Sequence, residues 1–195
     1  EVVFEQWGKD LIASWNKHAW IDLPFIAGEK IAKIIGAAEH QLVCCDSVSI
    51  NLLKVLACCL QMQPTRNILL SQKENFPTDL YVAQGLETLL GPTRCKLRTV
   101  AAPELDQALD EEVAVLFLSQ VNFRNGDKHD IERLTSLAKA RGILVVWDLS
   151  HSVGVLPLKM DEWEVDFAVG CGYKYLNGGP GAPAFIYANK KHHAT

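Results

Sequence analysis

Four groups of polar or reactive residues stand where an apolar, strand-like run gives way to a turn, and the richest surrounds Lys174. In Gly170-Cys171-Gly172-Tyr173-Lys174-Tyr175-Leu176-Asn177-Gly178-Gly179-Pro180-Gly181 the lysine lies between two tyrosines, among glycines that permit close backbone approach. Apolar and aromatic surroundings lower the pKa of a lysine amine and let it act as nucleophile and base; the alternative is a solvated lysine in a flexible loop. In Val145-Val146-Trp147-Asp148-Leu149-Ser150-His151 a carboxylate follows directly on buried β residues. Desolvation there is costly unless a cation or donors meet the charge, which makes Asp148 a candidate functional carboxylate. His151 is close enough to hydrogen-bond Asp148 or the same ligand, although alone it reads as a surface or capping histidine.

The other two groups open helices. Cys45-Asp46-Ser47-Val48-Ser49 passes from strand to helix, where backbone N–H groups, the helix dipole and hydroxyls can hold an anion; an ordinary Ser or Asp N-cap is the competing reading. In Asn75-Phe76-Pro77-Thr78-Asp79, Phe76 is held extended by the proline that follows, so its ring can serve as a stacking plate, with Asp79 reaching inward. The competing reading is a plain helix start, Thr78 capping and Asp79 in the first turn. Taken together, an anion-binding helix N-terminus, an aromatic plate, an acid at the end of a buried strand and a nearby lysine are what pyridoxal 5'-phosphate requires. The lysine forms a Schiff base, the acid keeps the pyridine nitrogen protonated, the dipole holds the phosphate and the plate fixes the ring.

Those groups need a scaffold, and the hydrophobic pattern supplies one. Leu11 to Lys17 and Ile26 to Ala37 have helical spacing, the second weakened by Gly28 and Gly36. Beyond them the pattern alternates. Strand-like runs at Leu42 to Cys45, Asn67 to Leu70, Lys96 to Val100, Val113 to Leu118, Ile143 to Trp147, Phe167 to Cys171 and Ala184 to Tyr187 are interleaved with helical ones. The helical runs are Ser49 to Leu60, Asp79 to Leu90, Pro103 to Leu109 with Pro in its first turn, and Asp130 to Arg141 with Gly142 as its stop. Strands apolar on both faces and separated by helices predict an α/β fold, a three-layer α/β/α arrangement around a mostly parallel sheet. Ligands of such sheets sit at the carboxyl ends of the strands. Residues 1–40 read as a helical lead-in and 41–195 as the cofactor-binding domain.

Composition narrows the function classes. The 195 residues are 49% hydrophobic and 22% charged, a globular balance with room for a core. The net charge of −4 is not gathered into a stripe, so neither nucleic acid nor membrane is an expected partner. Val48 to Met62, the most apolar stretch, is interrupted by Asn51 and Lys54 and is too short to span a bilayer. Four of six cysteines form the adjacent pairs Cys44-Cys45 and Cys58-Cys59 within apolar runs, which predicts buried reduced thiols and a cytoplasmic protein; with no C-x-x-C, no metal site is expected. The chain starts at Glu1 without Met and stops soon after an apolar run, and so reads as a piece of something longer.

The order of strand ends, with D-L-S-H-S-V-G around Asp148 and Y-K-Y-L-N-G-G-P-G around Lys174, resembles the aspartate aminotransferase fold of type I pyridoxal-phosphate enzymes and, within it, the kynureninase family. F-P-T-D at Phe76 and Y-K-Y-L-N are the specific parts, and the resemblance runs from W-x-K near Trp7 almost to the end of the chain. It implies that Lys174 carries the cofactor, that Asp148 pairs with the pyridine nitrogen, and that Phe76 stacks on the ring with Pro77, Thr78 and Asp79 lining the pocket. It further implies Val48 and Ser49 at the phosphate helix, Ser119 and His151 near the cofactor, and Tyr173 at the phosphate with a role in proton transfer. The implied reaction is hydrolysis of L-kynurenine or 3-hydroxy-L-kynurenine to anthranilate or 3-hydroxyanthranilate plus L-alanine, in tryptophan catabolism leading to NAD, by a cytoplasmic homodimer. Measured against the family, an N-terminal Asn-Ser-Leu-Gly-like segment and a C-terminal small domain with a substrate-binding arginine lie outside these residues, so the piece alone is expected to be inactive.

A cysteine desulfurase or selenocysteine lyase shares fold and cofactor, but those enzymes resemble one another in a His before the lysine and a His as plate, where this chain has Tyr173 and Phe76. A non-catalytic α/β module is the third reading, and joint retention of Lys174, Asp148 and Phe76 speaks against it.

Overall fold

Seven strands form one sheet; the inner runs Ile68–Gln72, Val113–Ser119 and Phe167–Cys171 are buried throughout on both faces, while the edge run Lys96–Val100 is not. A computed structural model describes residues 1–193. The strands are β1 Leu42–Cys44, β2 Ile68–Gln72, β3 Lys96–Val100, β4 Val113–Ser119, β5 Leu144–Asp148, β6 Phe167–Cys171 and β7 Ala184–Ala188, in the order β1-β7-β6-β5-β4-β2-β3. Only β7 runs against its neighbours, pairing antiparallel with both β1 and β6. The pairs β3–β2, β2–β4, β4–β5 and β5–β6 are parallel. The sheet is thus mostly parallel, as the near-continuous apolar runs predict.

The helices are α1 Gly8–Asp10, α2 Ser14–Lys17, α3 Leu23–Ile34, α4 Val48–Met62, α5 Pro77–Leu90, α6 Leu105–Ala108 and α7 Ile131–Lys139. Leu52, Leu56 and Leu86 of α4 and α5 pack with Phe117 and Val146 on one face of the sheet. On the other face Ala32, Leu105 and Leu134 of α3, α6 and α7 pack with Leu116, Leu118 and Trp147. Leu116, Phe117 and Leu118 alternate between the two cores, the period-2 signature of a strand covered on both sides. Three layers result.

Several boundaries differ from the sequence reading. The helix expected from Ile26 starts at Leu23, with Pro24 in its first turn, and ends at Ile34 rather than Ala37. Gly36 stops it with φ +67, where a Cβ would stand 2.7 Å from Leu158 O. Gly28 is a packing residue: a Cβ there would come within 2.3 Å of Leu42 O, so the glycine that weakens the helix also lets α3 close on β1. Leu11 to Lys17 is a 3-10 turn followed by α2, and Pro103 lies in a 3-10 turn, Ala102–Glu104, that precedes α6. The six cysteines are free; Cys44, Cys59, Cys95 and Cys171 are buried, but Cys58 is exposed on α4 and Cys45, directly after β1, is only half-buried, because adjacent residues of a helix or a strand turn to different faces. Among the described residues no helix is long and apolar enough to cross a membrane.

Candidate active site

All four groups singled out in the sequence come to the carboxyl-terminal edge of the sheet, around a cleft of about 630 Å³. Its wall includes Val48 and Ser49 from the start of α4, Phe76, Thr78 and Asp79 from the start of α5, Asp148 from the end of β5, and Tyr173 and Lys174 from the turn after β6. A larger groove of about 840 Å³ lies between the outer sides of α4 and α5, but none of these residues lines it. Chemistry, not size, selects the cleft.

Asp148 ends its strand buried, 5% exposed. One oxygen accepts from Ser150 N at 2.9 Å and from Ser150 Oγ at 2.5 Å; the other accepts from Ser119 Oγ at 3.2 Å. Ser119 closes β4, beside Asp148 in the parallel register, and its own backbone N–H donates to Asn75 Oδ1 at 2.8 Å. The same hydroxyl is 3.4 Å from Asp79 Oδ2, so its single proton is shared between two carboxyl groups. Burial first, and then the charge of Asp148, push the Asp79 carboxyl up to about 8. At neutral pH Asp79 therefore holds a proton, which removes one negative charge from a pair that could not both be ionised cheaply.

Lys174 Nζ lies 2.9 Å from His151 Nε2, 5.4 Å from the centre of the Phe76 ring and 5.7 Å from that of Tyr173. Burial, followed by the lysine charge, lowers the His151 pKa, so the imidazole is neutral and its Nε2 accepts from the ammonium group. Nδ1 then carries the ring proton, and this atom is buried without a hydrogen-bond partner. Phe76 is the N-cap residue of α5, with φ −57 and ψ 128 and Pro77 at the first helical position. The helix starts on Phe76, so Thr78 is not its cap as the plain reading of that turn supposed. Thr78 faces the cleft instead. At α4, Ser47 is the N-cap and accepts from Ile50 N at 3.4 Å, leaving Val48 and Ser49 on the cleft wall. Tyr173 is half-exposed, and its hydroxyl pKa is raised, first by burial of the group and then by Cys171.

Three of the residues named from sequence do not form the wall. Pro77 shapes the start of α5, Ser119 sits between the two aspartates, and His151 reaches the site through Lys174. Sequence reasoning missed Ser150, although a hydroxyl two residues after a strand-end Asp is the pattern of an Asx turn. It also missed the wall from Ala182 to Ala184, which the antiparallel return of β7 brings into the cleft beside Gly181.

Comparison with known proteins agrees with this geometry. Residues 26–193 match the family Aminotransferase class-V. The kynureninase of Deinococcus radiodurans is 44% identical over 98% of this chain, and that of Pseudomonas fluorescens 45% identical over 96%. The chain spans about half the length of these relatives, 47% and 46%. A cysteine desulfurase from Thermococcus onnurineus NA1 superposes with a TM-score of 0.74, covering 87% of this chain and 43% of that one at 21% identity. A C-DES variant with glycine covalently linked to its PLP cofactor reaches 0.80, over 97% of this chain and 51% of that one at 16% identity. These structures share the α/β fold of type I pyridoxal-phosphate enzymes. With its fold, its cleft and its matched residues, the chain belongs to the class-V aminotransferase family.

Proposed function

We propose that this chain is the cofactor-binding part of a kynureninase, with residues 41–195 as the cofactor domain and 1–40 as its helical lead-in, and that the whole protein hydrolyses L-kynurenine or its 3-hydroxy form to anthranilate or 3-hydroxyanthranilate plus L-alanine. One observation carries the reading: Lys174 and Asp148, from separate strand ends, line a single cleft together with Phe76 and the start of a fifteen-residue helix. The 44% identity to kynureninases over nearly the whole chain supports this substrate over that of a desulfurase, whose likeness is one of fold.

The residues fit pyridoxal 5'-phosphate. A buried carboxylate suits a protonated ring nitrogen, and the helix N-terminus with Ser47 and Ser49 suits a phosphate. Lys174 would hold the cofactor covalently, Asp148 would face its ring nitrogen, Phe76 would lie against the ring, and Tyr173 would meet the phosphate. When bound, the cofactor supplies an electron-withdrawing ring that lowers the cost of taking a proton from the substrate Cα and of breaking its Cβ–Cγ bond.

The chain's own groups do the rest. Lys174 Nζ, once free of the cofactor, takes and returns the Cα proton, and the neutral His151 accepts a hydrogen bond from it and fixes its position. Ser150 and Ser119 orient Asp148 by donating to its two oxygens. A place in tryptophan catabolism toward NAD, a cytoplasmic location and assembly as a homodimer belong to the same proposal. The test is anthranilate formation from L-kynurenine by the full-length protein. Sulfide release from L-cysteine without anthranilate would replace this reading with the desulfurase one.

A further inference from the structure

Phe123, which nothing above places in the site, stands next to the proposed plate. It lies in the connection from β4 to α7, is 40% exposed, and sets its ring 5.2 Å from that of Phe76 at 76°, an edge-to-face contact. The arrangement is not that of a loose loop. Asn122 N donates to Asp127 O at 2.8 Å, Gly126 N to Asn122 O at 2.9 Å and Arg124 N to Asn122 Oδ1 at 2.9 Å, while Val121 and Lys128 form an antiparallel bridge. The Arg124 guanidinium lies over the same ring, 5.2 Å from its centre. A large apolar side chain on an exposed turn gains little from burial, so its fixed contact with Phe76 is the interaction that needs a reason.

Besides Phe123, the Phe76 ring meets one further ring and one cation among the described residues. Its backbone is fixed at the mouth of α5 by Pro77, but its ring is otherwise met by His151, at 6.1 Å and a tilt of 48°, and by Lys174 Nζ at 5.4 Å. Both of those groups belong to the chemistry and must be free to shift when a ligand enters. The Phe123 ring is the contact that can stay. We propose that Phe123 is a positioning residue, holding the Phe76 ring in place for a cofactor ring stacked against it, with the Arg124 guanidinium steadying Phe123. This rests on the proposed pyridoxal-phosphate reading of the cleft.

The test is cofactor affinity of the full-length protein, measured by absorption titration of the cofactor-free form, together with its thermal melt. Phe123→Ala is expected to weaken pyridoxal-phosphate binding about three- to tenfold, the range of an aromatic pair. Phe123→Tyr is expected to restore binding and Phe123→Leu is not, since Leu supplies bulk without an aromatic ring for the edge-to-face pair. The melt of the cofactor-free protein should change by no more than ~2 °C in all three, the shift of well under 1 kcal/mol expected for a surface position. With Phe76→Ala as background, Phe123→Ala should have no further effect on affinity. Affinity within twofold of wild type in Phe123→Ala, or full rescue by Leu, overturns the proposal while leaving the reading of the cleft intact. Failure of the wild-type protein to bind the cofactor overturns both.

Discussion

Asp166 and Asp148 are buried aspartates at opposite ends of adjacent strands, and the chain surrounds them in opposite ways. Asp166, just before β6, is 3% exposed; it accepts from Val145 N at 2.9 Å, and Lys191 Nζ and His192 Nε2 approach it at 2.6 and 2.9 Å. Asp148, ending β5, meets two hydroxyls and one backbone N–H, and among the described residues no cationic side chain lies within 4.0 Å of it. A carboxylate closed by cations and donors is a clamp, here tying the turn Lys190–His192 to the sheet. A carboxylate set among hydroxyls and a second carboxyl group is what a site offers to a ligand that brings its own positive donor. Burial is common to both; the partners tell them apart.

That contrast can be tested in order of effect. Lys174→Ala in the full-length protein should lower anthranilate formation by on the order of a thousandfold or more, because nucleophile and base are lost together. Asp148→Asn should lower it by on the order of a hundredfold and leave the cofactor-free melt unchanged or higher, since the Asn oxygen can still accept from Ser150 and its NH2 can donate to Ser119 Oγ, with no buried charge. Asp166→Ala should do the reverse, costing about 2–3 kcal/mol of stability in denaturant unfolding, less than for a fully buried pair because Lys191 is partly exposed. Equal losses of stability in Asp148→Asn and Asp166→Ala would break the comparison.

A smaller effect sharpens it through pH. Asp79 is held up to about 8, so from roughly pH 4, where the unfolded chain releases this proton, up to pH 8 the folded chain keeps it. Stability of the cofactor-free protein therefore falls across that window and levels above it. Asp79→Asn should remove this slope, raising the melting temperature more at pH 8 than at pH 5. The smallest effect belongs to Thr78→Ala. As Thr78 does not cap α5, stability should change by less than ~0.5 kcal/mol, against the ~1 kcal/mol of a lost cap.

The strands and most helices are legible in the sequence because the period of the apolar residues reports which faces are covered. Direction is not: Ala184–Ala188 reads as a strand, but only the coordinates show that the glycine-rich turn returns it antiparallel. Asp148, Lys174 and Phe76 are visible because each type is unusual beside a buried run. The link from Asp79 through Ser119 to Asp148 is not visible, since it joins the first turn of α5 to the ends of β4 and β5 and depends on the register of those two strands. Asp166 has the same pattern as Asp148, an acid flanking a buried strand, and only its neighbours from the end of the chain reveal it as a clamp.

The most direct test of the central claim is to incubate the full-length protein with pyridoxal phosphate, reduce it with borohydride and locate the added group by peptide mass spectrometry. The account predicts a single pyridoxyl adduct on Lys174, absent from Lys174→Ala. An adduct on another lysine, or none on wild-type protein that binds and turns over kynurenine, would contradict it.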